Sequence, residues 1–288
     1  MHRIAMMQGR LLPPVGGRIQ AFPGPRWAEE FPLLRQIGYD AIELTIEQAS
    51  WETHPIRSAD GRQRLFEVAA ANAIGIVGLC CDNFMELPLT SDDARVRSKS
   101  LDQLRDLIEQ AAAFRLPMVE VPMMAANSLR SETARLHFDQ AMAAALPEAE
   151  KLGVSIALES DLPPQELAAL VDGYANPRLG LNYDMGNSTW LGFVPEDELP
   201  LYCRHVRNVH VKDCTVKDYS LPLGRGDTPF ERVFGLLAQF DYRGDFILQA
   251  ARQDDCVGSA RDYLAFTREC LHGAWGPRQR KPRTAIEC

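Results

Sequence analysis

LGVSIALES (152–160), LGLNYDMGN (179–187), VRNVHVKD (206–213) and GDFILQ (244–249) decide the fold reading. Each is a mostly apolar, partly β-branched run of strand length. Each also ends on, or carries near its end, a residue able to hold a cation: Glu159, Asp184, His210 and Gln249. Upstream lie four more such runs, RIAMM (3–7), AIELTI (41–46), IGIVGLCC (74–81) and MVEVPMM (118–124). Amphipathic stretches of helical period separate them, at 26–38, 60–73, 98–115, 131–153, 164–174, 228–240 and 259–274. The sixth unit is the weakest, with only EDELPLYCRH (196–205) available as its helix.

Short strands alternating with longer helices are the pattern of a parallel sheet with crossover connections. Two helices run into Gly38 and Gly153 just before the next strand, where a left-handed C-cap is expected. Eight units close most economically into an α/β fold of the (β/α)8 TIM barrel type, although an open doubly wound sheet uses the same units. No G-x-G-x-x-G follows a strand, which disfavours the dinucleotide-binding alternative. Residues 1–274 read as one barrel domain, and 275–288 as a basic, Pro-containing tail that is flexible or packed on the barrel edge.

Composition narrows the partners. The 288 residues are 46% hydrophobic and 24% charged, ordinary for a globular chain with a sizeable core. A net charge of −8 works against a nucleic acid partner. No apolar run is long enough to span a membrane, and the N-terminus lacks a signal-peptide pattern, so a cytoplasmic location is expected. Seven scattered cysteines without a C-x-x-C suggest reduced core thiols rather than a disulfide framework or a thiolate zinc site.

In a (β/α)8 barrel the chemistry sits at the carboxyl ends of the strands. Four successive strands offering carboxylate, carboxylate, imidazole and amide to one mouth suit a divalent metal such as Mn²⁺, Mg²⁺, Co²⁺ or Zn²⁺. Taken singly, each of the four is as well explained as a helix cap, a loop polar group or a satisfied core residue; their coincidence on consecutive strands is the signal.

In order and spacing these segments, with LPLGRGDTPF (221–230) and GYDAIELTIE (38–47), resemble the xylose isomerase-like barrel superfamily, particularly its sugar-phosphate isomerase and epimerase branch. The resemblance covers about residues 3–272. It implies a metal held by Glu159, Asp184, His210 and Gln249, with a small carbohydrate as substrate and a homo-oligomer, dimer or tetramer, as the assembly. Two positions depart from the family pattern. Gln249 stands where a second glutamate is usual, and Asn187 where many relatives have a histidine at the substrate or ion. An amide coordinates through its oxygen but is no Brønsted base. With Gln249 the formal sum of ion and ligands rises from −1 to zero, so the ion binds less tightly and is a stronger Lewis acid.

That leaves Glu159 as the single base of the set, removing a proton next to a carbonyl through a metal-stabilised enediolate. One base carrying a proton between neighbouring carbons performs isomerisation, whereas epimerisation needs an acid on the other face, so within a metal-dependent isomerase or epimerase of a sugar or sugar phosphate Gln249 tilts the expectation towards isomerisation or dehydration. The alternatives are a dehydratase of a keto-sugar, keto-inositol or dehydroshikimate type, and a non-catalytic sugar-binding relative. An endonuclease IV-like activity fits poorly with six histidines and an acidic chain.

Further substrate-binding candidates surround the mouth. Gln8 and Arg10 follow the first strand, and Glu43 ends the second, where it can bind a hydroxyl, back a ligand or be a buried paired acid. Trp51 and His54 can wall the pocket or pack on the surface. Lys212 and Arg225, the latter in GRGD (224–227), can hold a substrate phosphate or carboxylate; alternatively the turn is tight and Asp227 caps a helix from Thr228. Arg252 faces substrate or solvent at the rim.

Overall fold

The structure is a computed structural model that describes residues 2–276. Eight parallel strands close in sequence order into a barrel: β1 (Ile4–Met7), β2 (Ala41–Thr45), β3 (Gly75–Cys80), β4 (Met118–Met123), β5 (Ser155–Ser160), β6 (Leu179–Asp184), β7 (Val206–Val211) and β8 (Asp245–Leu248). The closing pair is β1 with β8, Ile4 opposite Phe246 and Met6 opposite Leu248, which excludes the open sheet. The helices are α1 (Glu30–Ile37), α2 (Ala59–Ala71), α3 (Asn83–Glu86), α4 (Ala94–Ala113), α5 (Glu132–Leu152), α6 (Pro164–Tyr174), α7 (Met185–Trp190), α8 (Pro195–Tyr202), α9 (Phe230–Gln239) and α10 (Cys256–Trp275).

Strand period places the side chains. Ile4, Met6, Ile42, Leu44, Leu79, Val119, Val121, Leu158, Leu181, Tyr183, Val209 and Val211 belong to the large core between sheet and helices. Their neighbours therefore point into the barrel. Ala5, Met7, Ala41, Val77, Cys80 and Ile247 form a small separate apolar cluster there. Above it the same inward rows carry Glu43, Glu120, Glu159, Asn182, Asp184, Asn208 and His210, all buried. A row this polar has little to gain from hydrophobic burial, and its presence at the carboxyl ends marks the site.

Gly38 and Gly153 cap α1 and α5 in the left-handed region, at φ of 104° and 75°. Unlike the sequence expectation, β8 stops at Leu248, so Gln249 lies one residue beyond it, its N–H still bonded to Val211 O at 3.1 Å. The sixth crossover uses two short helices, α7 and α8, instead of one. Asp227 caps nothing: α9 starts at Phe230 behind Pro229. Among the described residues no helix is long and apolar enough to cross a membrane. The tail expected at 275–288 lies, from residue 277 onward, outside the described residues.

Candidate metal centre

Glu159 at the end of β5, Asp184 closing β6 and His210 on β7 bring one ligand atom each within 4.8 Å of one another. His210 is fully buried and its two nitrogens face different groups. Nε2 lies 2.8 Å from Glu43 Oε2, while Nδ1 lies 3.1 Å from Asn182 Nδ2 and 3.6 Å from Glu159 Oε2. Asn182 Nδ2 donates to Glu159 Oε2 at 2.9 Å and is turned towards Nδ1, so in the neutral ring Nδ1 accepts and Nε2–H donates to Glu43. Nδ1 thus lies on the side of Asn182 and Glu159 with Glu43 behind the ring, the arrangement in which a carboxylate behind a histidine orients it for a metal. Burial alone would depress the imidazole pKa, but Glu43 and Glu159 outweigh it and hold the pKa well above its ordinary value.

The two acids differ. Burial works against the Glu159 carboxylate, yet His210, Lys212 and Asn182 together keep its pKa below the usual value. Asp184 is pushed up by burial and by Glu159, with Lys212 and His210 opposing. Asp184 Oδ1 accepts the N–H of Asn187 at 2.8 Å, whereas its buried Oδ2 has no hydrogen-bond donor. Lys212 Nζ lies 3.7 Å from that oxygen. The ammonium donates to Asn187 Oδ1 at 2.8 Å and stands 3.5 Å from the centre of the Tyr219 ring. Asn187 Nδ2 donates in turn to Glu159. Asn187 and Lys212 thus brace the acids.

Gln249 donates from Nε2 to Gln20 Oε1 at 3.0 Å, and its Oε1 is buried without a partner. Gln20 also accepts from Arg10 at 2.7 Å and donates to Asp82 Oδ2 at 2.5 Å. The unpartnered buried oxygen of Asp184, grouped with a Glu159 oxygen and a His210 nitrogen, fits a divalent ion, and the buried Gln249 Oε1, one residue past β8, is a further unpartnered oxygen.

A family model for the xylose isomerase-like TIM barrel matches residues 31–270. The chain belongs to that family. It is 28% identical over 250 residues to an L-ribulose-5-phosphate 3-epimerase of Shigella boydii serotype 18, covering 82% of this chain and 86% of the relative. The Salmonella heidelberg protein of the same name is 27% identical over 270 residues, with 87% and 93% covered. Among solved structures, an L-ribulose 3-epimerase superposes with a TM-score of 0.75 at 16% identity, over 95% of this chain and 96% of that one. The 3-keto-D-glucoside 4-epimerase of E. coli gives 0.74 at 15%, over 94% and 100%. At such identities the superpositions speak for the fold alone.

Other positions of this xylose isomerase-like barrel divide into those near the cluster and those away from it. Glu43 is fully buried behind His210 and also accepts from Asn208 at 3.3 Å. Gln8 is buried, with Oε1 accepting the Thr45 N–H at 3.1 Å and Nε2 unpartnered. Arg10 reaches the mouth only through Gln20, its other arm bonding Ala250 O at 3.2 Å. Arg252 is turned towards the loop after β1, bonding the carbonyls of Ile19 and Leu12. Arg225 is exposed, and the backbone N–H groups of Arg225, Gly226 and Thr228 all donate to Asp213 at 2.8 to 3.2 Å. The amides that could meet a phosphate are already bound to an acid of the chain. Gly226 is needed there, since a Cβ would lie 2.3 Å from Asp213 Oδ1. Trp51 stacks under Arg57 at 4.1 Å, and buried His54 packs on Phe22 at 4.5 Å.

Three residues near the site escaped the sequence reading. Gln20 sits in an aperiodic loop. Asp82 follows CC at the end of β3 and obeys the same strand-end rule that marked the other acids. Glu120, midway along β4, has both carboxylate oxygens buried without a hydrogen-bond partner, and burial together with Glu159 pushes its pKa well up.

Proposed function

We propose that this protein is a divalent-metal-dependent epimerase of a ketose or ketose phosphate, acting on the carbon next to the carbonyl. What carries the reading is the convergence of Glu159, Asp184 and His210 at the strand ends of a chain similar over most of its length to proteins named as sugar 3-epimerases. That similarity favours epimerisation over the isomerisation expected from Gln249.

Glu159, Asp184, His210 through Nδ1 and Gln249 through Oε1 would hold the ion. When bound, the ion supplies Lewis acidity to the substrate carbonyl and charge stabilisation to the enediolate. The protein supplies the rest. Glu159, kept ionised by its neighbours, is the base for the proton next to the carbonyl. Asn187 and Asn182 hold its two oxygens in place, and Lys212 balances the paired acids without leaving the interior. Loss of the proton gives an enediolate, and delivery of another proton to its opposite face completes inversion.

The test is metal content after equilibration with Mn²⁺, together with turnover of ketoses and ketose 5-phosphates. We expect near-stoichiometric metal in the wild type, little in His210→Ala, and epimer formed only by the loaded wild type. Metal retained undiminished in His210→Ala, or a loaded wild type that leaves every ketose unchanged, would refute the reading.

A further inference from the structure

We propose that Asp82 is the second acid–base group of this site, the partner of Glu159 that returns the proton to the substrate carbon from the other side. The inference rests on the epimerase reading above and deepens it. An inversion needs two titratable groups, and Gln249, with an amide, cannot be one.

Strand parity aims Asp82 into the mouth. Leu79 and Cys81 belong to the outer core and Cys80 to the barrel interior, so residue 82 continues the inward row just past the carboxyl end of β3. Its carboxyl is tied to the Gln249 side of the mouth by a single amide. Oδ2 accepts from Gln20 Nε2 at 2.5 Å, and Gln20 Oε1 receives Gln249 Nε2 at 3.0 Å and Arg10 at 2.7 Å. The titratable group absent at position 249 is thus present one amide away. Oδ1 takes only the weak S–H donor of Cys80, at 3.5 Å. No lysine or arginine among the described residues forms a salt bridge with Asp82. Its charge is met by the Gln20 amide, the Cys80 thiol and, at longer range, Arg10.

The surroundings match the task. Burial pushes the Asp82 carboxyl up to about 6, Gln20 and Cys80 pull it down, and the charges of Glu159 and Glu47 raise it again. A carboxyl poised near neutrality can hold a proton for the substrate and give it up again. Glu120 is the rival, but it has no exposed surface and sits within β4, whereas Asp82 lies past the carboxyl end of β3, where a substrate can enter.

The balanced step has Glu159 taking the C–H proton while the bonding pair becomes the C=C of the enediolate and the carbonyl π pair moves to oxygen. The enediolate then collapses to the ketone as its carbon takes the proton of Asp82. Glu159 ends protonated and Asp82 ionised, and exchange with water restores both.

The experiment separates exchange from inversion in D₂O, on a ketose that the Mn²⁺-loaded wild type epimerises. In Asp82→Asn, deuterium should still enter the unepimerised ketose through Glu159, while epimer formation falls by about 100-fold or more. Epimer formation at the wild-type rate would overturn the proposal. So would equal loss of exchange and inversion in a folded variant that keeps its metal, since Asp82 would then act through structure alone. Asp82→Ser keeps an acceptor for Gln20 and serves if the asparagine variant does not fold. A loaded wild type that neither exchanges nor epimerises any ketose overturns the epimerase reading itself, and the role of Asp82 with it.

Discussion

At the scale of single residues, Glu43 and Glu30 show two uses of a buried acid. Glu43 fixes the His210 tautomer through Nε2. Glu43→Gln should keep the fold and weaken Mn²⁺ affinity by about 10- to 100-fold, the usual effect of removing the group behind a ligating histidine; unchanged affinity in a metal titration would refute this. Glu30 accepts the N–H groups of Gly9 at 2.8 Å and Leu11 at 3.2 Å. Burial pushes it up to about 7 from 4.5, more than those donors pull it down. The folded state therefore binds the proton more tightly than the unfolded chain. The associated stability is complete below about pH 4.5 and is lost as pH rises through 7, on the order of 3 kcal/mol in all. Denaturant melts at pH 5 and pH 8 should show a smaller fall in Glu30→Gln than in wild type, and equal falls in both would exclude Glu30 as a source. Glu159, Asp184 and His210 were legible because each sits at or near the end of an apolar run. Gln20 was not, because its bond to Gln249 spans 229 residues and no local pattern records it.

At the scale of elements, the loop after β1 is held by groups from several others. Glu30 binds its first residues, Arg252 its carbonyls, and Glu47 the N–H of Phe22 at 2.6 Å. Gly9 makes the turn possible, with φ at 83° and a Cβ position 2.1 Å from Ala21 O. Gly9→Ala meets backbone rather than a movable side chain, so it should cost about 2 kcal/mol or more. It should also lower metal retention, since the loop carries Gln20; a thermal melt and a metal assay check both, and wild-type values would show that the turn relaxes freely. The strand and helix periods were readable to within a few residues at most boundaries. In the sixth crossover the helix expected at 196–205 is found at Pro195–Tyr202, opened by Pro195, but the six-residue helix that Asp184 caps and that holds Asn187 was not read.

At the scale of the whole molecule, eight repeats were countable and favoured the ring over an open sheet, and the pairing of β1 with β8 closes it. Phe246 is central to that seam, stacked on Phe234 at 5.0 Å and meeting Tyr242 and Trp275 edge-on. Phe246→Ala should cost about 3–5 kcal/mol, read by denaturant melts; a cost below about 1 kcal/mol would mean that the seam repacks. The two ends of the chain meet again at Arg3 with Asp245, Arg10 with Ala250 and Gln20 with Gln249. These contacts have a consequence in time. A ribosome making this protein releases Gln20 and Asp82 long before Gln249 exists, so the mouth cannot assemble on the growing chain. Protein halted or cut ahead of its last strand would have carboxylates and no finished site.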